Sequence, residues 1–300
     1  TGTGNNSRHD RARQGHEYHE RAEIMSAFGR RPGPDTLPVP GAVEAAIRMV
    51  AAEEIMPRFQ LLEAHEVSEK EGGEIVTAAD TESERRLEAL LTDLVPGSVV
   101  VGEEGYAADA GVIDRLGGAA PVWIIDPLDG TRNFAEGKEM FCVIVAFVQN
   151  GRVDAGWIFD PLKDDMMHAV RGGGVRGGEG GILLGPPPPT TPVMRGSVGK
   201  RRREKLIALG DAAVPRNMVR YRCVGREYMD LTRGRLDFAE YGNLKPWDHA
   251  AGVLFHSEAG GYSAFTADGA RYVPGPVRSG RFLIAPDRAN WQKLMDVMPV

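Results

Sequence analysis

The sequence predicts a fold that combines α-helices with sheets of short, buried strands. Apolar residues recur at helical spacing over residues 43–55, 81–91 and 248–258. Between the last two segments, short apolar runs are bounded by Gly, Asn, Asp and Pro, which is typical of strands joined by tight turns. The chain has 300 residues, 42% hydrophobic and 26% charged, enough for the core of one large domain or two ordinary ones.

The first forty residues differ in composition from the rest. Residues 1–20 are polar, rich in Arg, His and Gly, and show no apolar periodicity, so we expect residues 1–40 to form a disordered extension. The sequence begins without Met, and Met25 is a candidate natural start that would leave the upstream residues outside the native protein.

Two amphipathic helices are predicted next. The first covers residues 43–55, and the second covers residues 81–91, where Leu87 and Leu91 belong to the buried stripe. Acidic residues in the first turn of the second helix suit the positive end of the helix dipole. We expect both helices to pack on the core.

A series of strands follows, and acidic residues stand at the ends of the first two. Residues 99–101 form an apolar run that ends at Gly102-Glu103-Glu104, and residues 122–125 form another that ends at Asp126. Because neighbours in an extended chain point to opposite faces, we expect only one of the two glutamates to join a given site. Later apolar runs predict strands at residues 141–149, 153–159 and 166–170, with turns at Asn150-Gly151 and Asp160-Pro161 and a surface hairpin at residues 171–181.

Four prolines at residues 186–189 mark the predicted domain boundary, because proline continues neither a helix nor a sheet. We therefore expect an N-terminal domain over residues 41–185 that carries most of the candidate metal ligands. A C-terminal domain over residues 190–300 would supply Asp248 and substrate contacts. This second part contains Lys200-Arg201-Arg202-Arg203, which is either a ligand contact or the solvated start of a helix.

Charge and cysteine content argue against several classes of protein. The net charge of −6 argues against a protein that binds nucleic-acid phosphates. No apolar run approaches the roughly 18 residues of a membrane span. Cys142 and Cys223 are the only cysteines and lack metal-ligand spacing, so we expect reduced thiols in a cytoplasmic protein rather than a disulfide.

Acidic residues at element boundaries are the main chemical signal. The segment Asp126-Pro127-Leu128-Asp129-Gly130-Thr131 offers carboxylates and a carbonyl, the oxygen ligands that Mg²⁺ takes. Its acids are either ligands or turn residues, since Asp160-Pro161-Leu162 repeats the turn without Gly-Thr. Asp248 at a helix start is either a cap or a member of the same site. A two-metal site for phosphoryl chemistry would need these acids together, because cations relieve their repulsion: Asp80, Glu103, Asp126, Asp129 and Asp248.

These motifs resemble those of the inositol monophosphatase family of Mg²⁺-dependent, lithium-sensitive phosphatases. The resemblance covers about residues 43–295 and rests on residues 126–131, on Gly102-Glu103-Glu104, and on Trp247-Asp248-His249-Ala250-Ala251-Gly252 followed by Glu258-Ala259-Gly260-Gly261. Residues 76–80 fit a further motif of the family, with Lys70 as the counterpart of its nearby lysine. The resemblance implies an α+β fold, a layered αβαβα sandwich of the inositol monophosphatase and fructose-1,6-bisphosphatase type, with the site between its two halves.

The resemblance also implies the roles of the site residues. One Mg²⁺ would be held by Glu103, Asp126 and the carbonyl of Leu128, and a second by Asp126, Asp129 and Asp248. A third, weaker cation would lie near Glu103 and Asp80. Thr131 and Glu103 would orient the attacking water, and the amides of Gly130 and Thr131 would receive the phosphate at a helix start. The implied reaction is in-line hydrolysis of a phosphate monoester without a covalent intermediate.

Residues near the implied substrate site depart from the inositol-specific branch of the family. Arg222-Cys223-Val224-Gly225 is followed by Arg226 and Glu227 where that branch has small residues, and Tyr241 stands where it has glutamate, with Glu240 one place away. Arg226 is either a contact for a second anionic group or a partner of a surface acid. The substrate contacts implied in this way are Asp129, Gly130, Thr131, Arg226, Glu240 and Asp248.

The predicted function is hydrolysis of inositol monophosphate or a similar small polyol phosphate, with two or three Mg²⁺ per site. Histidinol phosphate, fructose-1,6-bisphosphate and 3′-phosphoadenosine 5′-phosphate are alternative substrates. A binding or regulatory protein that keeps the fold without catalysis is another alternative, although the presence of Thr131 and every expected carboxylate counts against it. The family resemblance also implies a homodimer, and no nucleic-acid or membrane partner is expected.

Overall fold

A computed structural model describes residues 37–69, 73–178, 180–182 and 191–299. Most of the predicted N-terminal extension lies outside these ranges, and so do Lys70 and the four prolines at residues 186–189. The predicted division into two domains therefore stays a prediction.

Helices occur before, between and after the strands of the described chain. They are α1 (Pro40–Val50), continued by a π-helical turn (Ala51–Ile55), α2 (Ala78–Leu94), α3 (Glu103–Ala108), α4 (Thr131–Ala135), α5 (Lys200–Ala208), α6 (Val224–Thr232), α7 (Pro246–Glu258) and α8 (Arg288–Val297). The strands are β1 (Val67–Glu69), β2 (Ile75–Thr77), β3 (Val99–Gly102), β4 (Val122–Asp129), β5 (Cys142–Gln149), β6 (Arg152–Asp160), β7 (Asp165–Val170), β8 (Gly174–Gly177), β9 (Gly180–Ile182), β10 (Arg195–Val198), β11 (Asn217–Val219), β12 (Phe238–Leu244), β13 (Tyr262–Phe265) and β14 (Arg278–Ala285).

The larger sheet has the strand order β3-β4-β5-β6-β7-β8-β9. β3 and β4 are parallel, and each later pair is antiparallel. Every residue of β4 is buried, as expected for a strand covered on both faces. Trp123 and Ile125 face the layer of α1 and α2, whereas Ile124 between them belongs to the core on the opposite face.

The smaller sheet has the order β11-β10-β12-β14-β13, and it also buries both faces. Along β14, Leu283 packs with residues of α5 and α8, while the next residue, Ile284, joins the core shared with the larger sheet. Helices α6 and α7 contribute to that shared core between the sheets. The layers therefore alternate as helices, sheet, helices, sheet, helices, which confirms the predicted αβαβα sandwich.

Most predicted elements are confirmed, with two local differences. Glu103 and Glu104 begin α3 instead of continuing an extended strand. The prediction that their side chains alternate between the two faces of a strand therefore does not apply. The strand predicted at residues 122–125 continues to Asp129, with an irregularity in its pairing with β5 between Asp126 and Asp129. The hairpin predicted at residues 171–181 is formed by β8 and β9.

Both cysteines are buried and free. Among the described residues, no helix combines the length and apolar character needed to cross a membrane.

Candidate active site

The irregular end of β4 carries the central segment of the site. The amide of Leu128 donates a hydrogen bond of 3.1 Å to Oδ1 of Asp126, a local turn of the kind that Asp favours. This bond uses one carboxylate oxygen of Asp126 within the turn. The carboxylate is buried, so its charge depends on what the rest of the fold places beside it.

Gly130 allows the chain to turn from β4 into α4. Its φ is +94°, a left-handed conformation that favours glycine. A Cβ at this position would lie only 2.8 Å from the carbonyl oxygen of Met140. The turn therefore needs glycine for both its conformation and its space, and it places Thr131 at the first position of α4.

Glu103 is positioned by a buried acid on α2. Glu84 accepts hydrogen bonds from the amides of Glu104 at 2.9 Å and Gly105 at 2.7 Å, which fixes the start of α3. Burial raises the pKa of Glu84 to about 7, although these amide bonds oppose the shift. A Cβ on Gly102 would lie 2.2 Å from Cδ of Glu84, so glycine is required for this close packing.

Three carboxylates from separate elements converge in front of β4. Glu103 from α3, Asp126 from β4 and Asp248 from the first turn of α7 each place an oxygen so that all three oxygens lie within 4.8 Å of one another. Burial raises the pKa of Asp126 and of Asp248 well above the usual range, and the Glu103 carboxylate raises both further. A set of hard oxygen donors that repel one another fits a divalent cation such as Mg²⁺.

Asp129 lines the same pocket, and hydrogen bonds from residues around the start of α6 hold its carboxylate. Its Oδ2 accepts a hydrogen bond from the amide of Gly225 at the start of α6. Burial raises the pKa of Asp129, while the bonds from Gly225 and from the thiol of Cys223 lower it. These bonds orient the carboxylate beside the three converging acids.

Thr131 and Asp80 form a hydrogen-bonded pair beside this cluster. The Thr131 hydroxyl lies 2.9 Å from Oδ1 of Asp80 and 3.0 Å from the carbonyl oxygen of Leu128, and it donates its single proton to one of them at a time. Oδ2 of Asp80 accepts the amide and hydroxyl of Thr77 at 2.8 and 2.6 Å. Burial raises the pKa of Asp80 to about 7. The hydroxyl oxygen keeps lone pairs that can accept a hydrogen bond from a water molecule.

Three basic side chains, Arg132, Arg222 and Lys245, also line the pocket, which has a volume of about 210 Å³. Lys245 donates to the Glu74 carboxylate at 2.8 and 3.0 Å and lies 3.9 Å from Glu103. Burial lowers the pKa of Lys245, but the bond to Glu74 and the charges of Glu103 and Asp248 outweigh burial and raise it.

None of these three basic residues was predicted as a site residue. The sequence could have indicated Lys245, because it stands three residues before Asp248 and must therefore lie near that predicted ligand. Arg222 has a φ of +58°, which no sequence pattern indicated.

Arg226 and Glu240, two predicted substrate contacts, are not among the described residues that line this pocket, and their substrate roles stay predictions. Arg226 is buried and forms an ion pair with Asp160, with Asp230 3.8 Å from its Nε. Glu240 binds Arg202 at 2.8 Å and Arg281 at 2.6 Å. Both side chains are buried charges held by opposite charges, which is the condition for burying them. The acid that Arg226 contacts is in the interior, not at the surface.

The other predicted residues are brought together. Glu103, Asp126, Leu128, Asp129, Gly130, Thr131 and Asp248 line one pocket, and Asp80 contacts it through Thr131. A sequence model described as "Inositol monophosphatase family" matches residues 38–297. The chain belongs to the inositol monophosphatase family.

The proteins that are similar to this chain carry two kinds of name. The chain is 34% identical to an inositol-1-monophosphatase of Rhizobium meliloti over 69% of this chain and 77% of that protein. It is 29% identical to the Nus factor SuhB of Haemophilus influenzae over 86% of this chain and 94% of that protein. Among solved structures, an IMPase of Thermotoga maritima has a TM-score of 0.71 and 25% identity, covering 85% of this chain and 94% of that one.

Proposed function

We propose that the protein is a Mg²⁺-dependent phosphate monoester hydrolase that acts on inositol monophosphate or a similar small polyol phosphate. The observation that carries this proposal is the convergence of Glu103, Asp126 and Asp248 beside the Thr131–Asp80 pair. Membership in the inositol monophosphatase family supports the reaction class, whereas the choice of substrate is ours.

The donor set suits two cation positions. Glu103, Asp126 and the carbonyl of Leu128 would hold one Mg²⁺, Asp126, Asp129 and Asp248 a second, and Glu103 with Asp80 would lie near a third. When bound, Mg²⁺ makes water more acidic and neutralises the negative charge that develops on the reacting oxygens. Lys245 contributes a fixed positive charge at the same pocket.

Thr131 is the group that would orient the attacking water. When its hydroxyl donates to Oδ1 of Asp80, its oxygen can accept a hydrogen bond from that water. The raised pKa of Asp80 makes this carboxylate a stronger base than an ordinary aspartate, which favours the donation. Glu103 faces the same space and would orient the water from a second direction.

Phosphate and its leaving group would occupy the remaining space of the pocket. The amides of Gly130 and Thr131 would receive phosphate oxygens at the turn into α4, and Arg222 and Lys245 would offset their charge. Asp129 and Asp248 would contact hydroxyls of the polyol. In-line attack needs no protein nucleophile, so positioning and charge provide the catalysis.

A substrate panel tests the proposal. Phosphate release should be measured with inositol-1-phosphate, histidinol phosphate, fructose-1,6-bisphosphate and 3′-phosphoadenosine 5′-phosphate, with Mg²⁺ and with EDTA. We expect Mg²⁺-dependent release, with inositol-1-phosphate among the preferred substrates. Release that continues in EDTA would contradict the metal assignment, and absence of release from every compound would contradict the enzymatic function.

Relatives named Nus factor favour a second candidate, a binding role that does not need hydrolysis. An Asp126→Asn variant separates the two candidates in cells that lack the native gene. Rescue by this variant would favour the binding role, and failure to rescue would favour hydrolysis. The homodimer and the cytoplasmic location stay predictions.

A further inference from the structure

A cavity lies at the end of the larger sheet that is opposite to the active site. The catalytic segment follows the carboxyl end of β4, whereas β6, which like β4 runs antiparallel to β5, begins at the other end of the sheet. The cavity is lined by the start of β6, the end of β7, one side of α7 and residues 271–274. Its volume of about 250 Å³ is just below the range for drug-sized ligands, so it suits a smaller one.

The charges around this cavity are mostly positive. Three exposed arginines and no acidic residue of the described chain line it, and these arginines are Arg152, Arg171 and Arg271. Arg152 and Arg171 share the carboxylate of Asp154, whose Oδ1 lies 2.8 Å from one Nε and 3.4 Å from the other. Three positive charges against this single negative charge leave a formal excess of two, which attracts an anion with two charges.

Arg271 is the arginine that is most available to a ligand. Its guanidinium carbon lies 4.5 Å from the centre of the Tyr262 ring, and it forms no ion pair with any described residue. Glu258, the acidic residue at the end of α7, instead accepts hydrogen bonds of 3.0 Å from the amides of Gly172 and Gly174. A cation–π contact uses the face of the guanidinium and leaves the N–H groups at its edge free to bind an anion.

The remaining lining provides apolar surface. Val253 and Leu254 of α7 contribute to it, together with Val273 and Pro274. Val273 is exposed over 68% of its surface. A ligand with an apolar body would remove part of this surface from water, which is favourable.

Tyr272 adds an unsatisfied polar group to the lining. Its hydroxyl is buried and has no hydrogen-bond partner among the described residues. Buried polar groups of folded proteins are nearly always paired. An unpaired hydroxyl on a residue that lines a cavity points to a partner that the described chain does not supply.

We propose that this cavity binds a small organic anion that has two negative charges and an apolar body, as a phosphate monoester or a dicarboxylate has. The arginines bind the charged head with charge-assisted hydrogen bonds, and Val253, Leu254 and Val273 contact the body.

The proposed site is separate from the catalytic one, although α7 contributes to both. Asp248 lies in the first turn of α7 and Ser257 near its end, about 14 Å further along the helix axis at 1.5 Å per residue. A ligand in this cavity therefore does not compete for the active-site pocket. Its binding does not depend on the proposed hydrolase function.

Calorimetry in mildly alkaline Tris buffer without divalent cations tests the proposal. Phenylphosphonate is the main probe, because it carries two negative charges on an apolar ring. Phenylmalonate carries the ring on two carboxylates, and inorganic phosphate lacks the ring. We expect one molecule of phenylphosphonate to bind per chain, and inorganic phosphate to bind about tenfold more weakly because it buries no apolar surface.

Two variants remove different properties of the site. Arg152→Gln with Arg271→Gln removes two exposed charges and leaves Arg171 beside Asp154. Ser257→Phe keeps the charges and fills the cavity from α7. Melting temperatures near that of the wild type verify that both variants fold.

Two control variants carry the same charge change elsewhere. Arg201→Gln with Arg216→Gln removes exposed arginines that do not line this cavity. Arg203→Gln with Arg220→Gln removes exposed arginines of a different cavity, which shares Arg222 with the active-site pocket.

We expect the Kd of phenylphosphonate to rise about tenfold in the Arg152/Arg271 variant, because charge-assisted hydrogen bonds are lost. Ser257→Phe should abolish binding, and both controls should stay within about twofold of the wild type. Phenylmalonate binding that depends on the same two variants would support the site and extend it to dicarboxylates.

Four results would overturn the proposal. They are absence of phenylphosphonate binding at millimolar concentration, unchanged binding in both cavity variants, equal binding of inorganic phosphate, and weakening only in the Arg203/Arg220 control. Because no turnover is measured, failure of the hydrolase proposal and failure of this site are distinguishable.

Discussion

Two turns with the same three residues, Asp126-Pro127-Leu128 and Asp160-Pro161-Leu162, lie at the ends of β4 and β6. In both, Oδ1 of the aspartate accepts the amide of the leucine, at 3.1 Å in the first and 3.2 Å in the second. Both aspartates are buried, with 2% and 4% of their surface exposed. Local sequence, local hydrogen bonding and burial are therefore nearly equal.

The two aspartates differ in the charges that other elements bring to them. Asp126 faces the carboxylates of Glu103 and Asp248, whereas Asp160 forms an ion pair with Arg226. The first turn continues with Asp-Gly-Thr, and the second with Lys-Asp-Asp. A buried acid next to other acids is a site for a cation, and a buried acid next to arginine is part of the core. The comparison teaches that the long-range partners, and not the turn, decide the role.

Asp126→Asn should give the largest effect. We expect activity to fall about a thousandfold, because the change removes a charge that would hold both cations. The metal-free protein should keep its stability, since the substitution also removes repulsion with Glu103 and Asp248. Phosphate release measures the activity, and urea unfolding measures the stability of the metal-free protein. Turnover like that of the wild type would refute the metal assignment.

Asp160→Asn is the matched change in the second turn and should have the opposite profile. We expect the free energy of unfolding to fall by about 3 kcal/mol, because Arg226 would lose the partner of a buried ion pair. Values of kcat and KM should stay near those of the wild type. Asp160→Leu combined with Arg226→Met should recover part of the stability. A raised KM in that folded double variant would indicate that Arg226 contacts the substrate.

Thr131→Val tests the residue that only the first turn provides. Loss of the hydroxyl should lower kcat about a hundredfold, since the water would lose one orienting group. Thr131→Ser, which keeps the hydroxyl, should retain most activity. Mg²⁺ affinity measured by calorimetry should change little in either variant, and a large fall in affinity would assign Thr131 to metal binding instead.

Mg²⁺ binding should depend on pH because the carboxylates of the cluster have raised pKa values. At low pH Asp126 and Asp248 are protonated and a cation must displace these protons, so affinity should increase about tenfold per pH unit for each proton released. Calorimetry between pH 6 and 8 in buffers of different ionisation enthalpy measures the Mg²⁺ affinity and the number of protons released. Affinity independent of pH would contradict the raised pKa values.

The stability of the metal-free protein should change with pH in the opposite direction. Burial raises the pKa of Asp80 and Glu84 to about 7, so the folded state binds more protons than the unfolded state below that pH. Their stabilising contribution is present at low pH and lost as pH rises through about 7. Burial lowers the pKa of His249 and His256 to about 3, so their contribution is lost only below about pH 6.5. The melting temperature should therefore be lower at pH 8 than at pH 6.

Much of the fold was predictable because its signals are local. The apolar stripe of α2 and the apolar runs of β4 to β7 follow from periodicity and turn residues. The family resemblance then located Glu103, Asp126 and Asp248, and the structure brings these three together. The predicted strand geometry at Glu103 was wrong, because Glu84 caps a helix there from another element.

The roles of the basic residues were not predictable in the same way. Arg226 stands beside a motif residue in the chain, yet it is buried against Asp160, 66 positions away. Arg222 lines the active-site pocket with a left-handed backbone, and its carbonyl oxygen accepts a hydrogen bond from Asn133, 89 positions away. No local pattern indicates such partners.

The sequence by itself determined the elements, their layering through the family resemblance, and the acidic segment that identifies the reaction class. Only the tertiary structure decided that Asp160 of the second Asp-Pro-Leu turn pairs with Arg226, and which basic residues line the site. The physical reason is that helix and strand formation depend on neighbours in the chain, whereas the state of a buried charge depends on the charges that other elements place within a few ångströms.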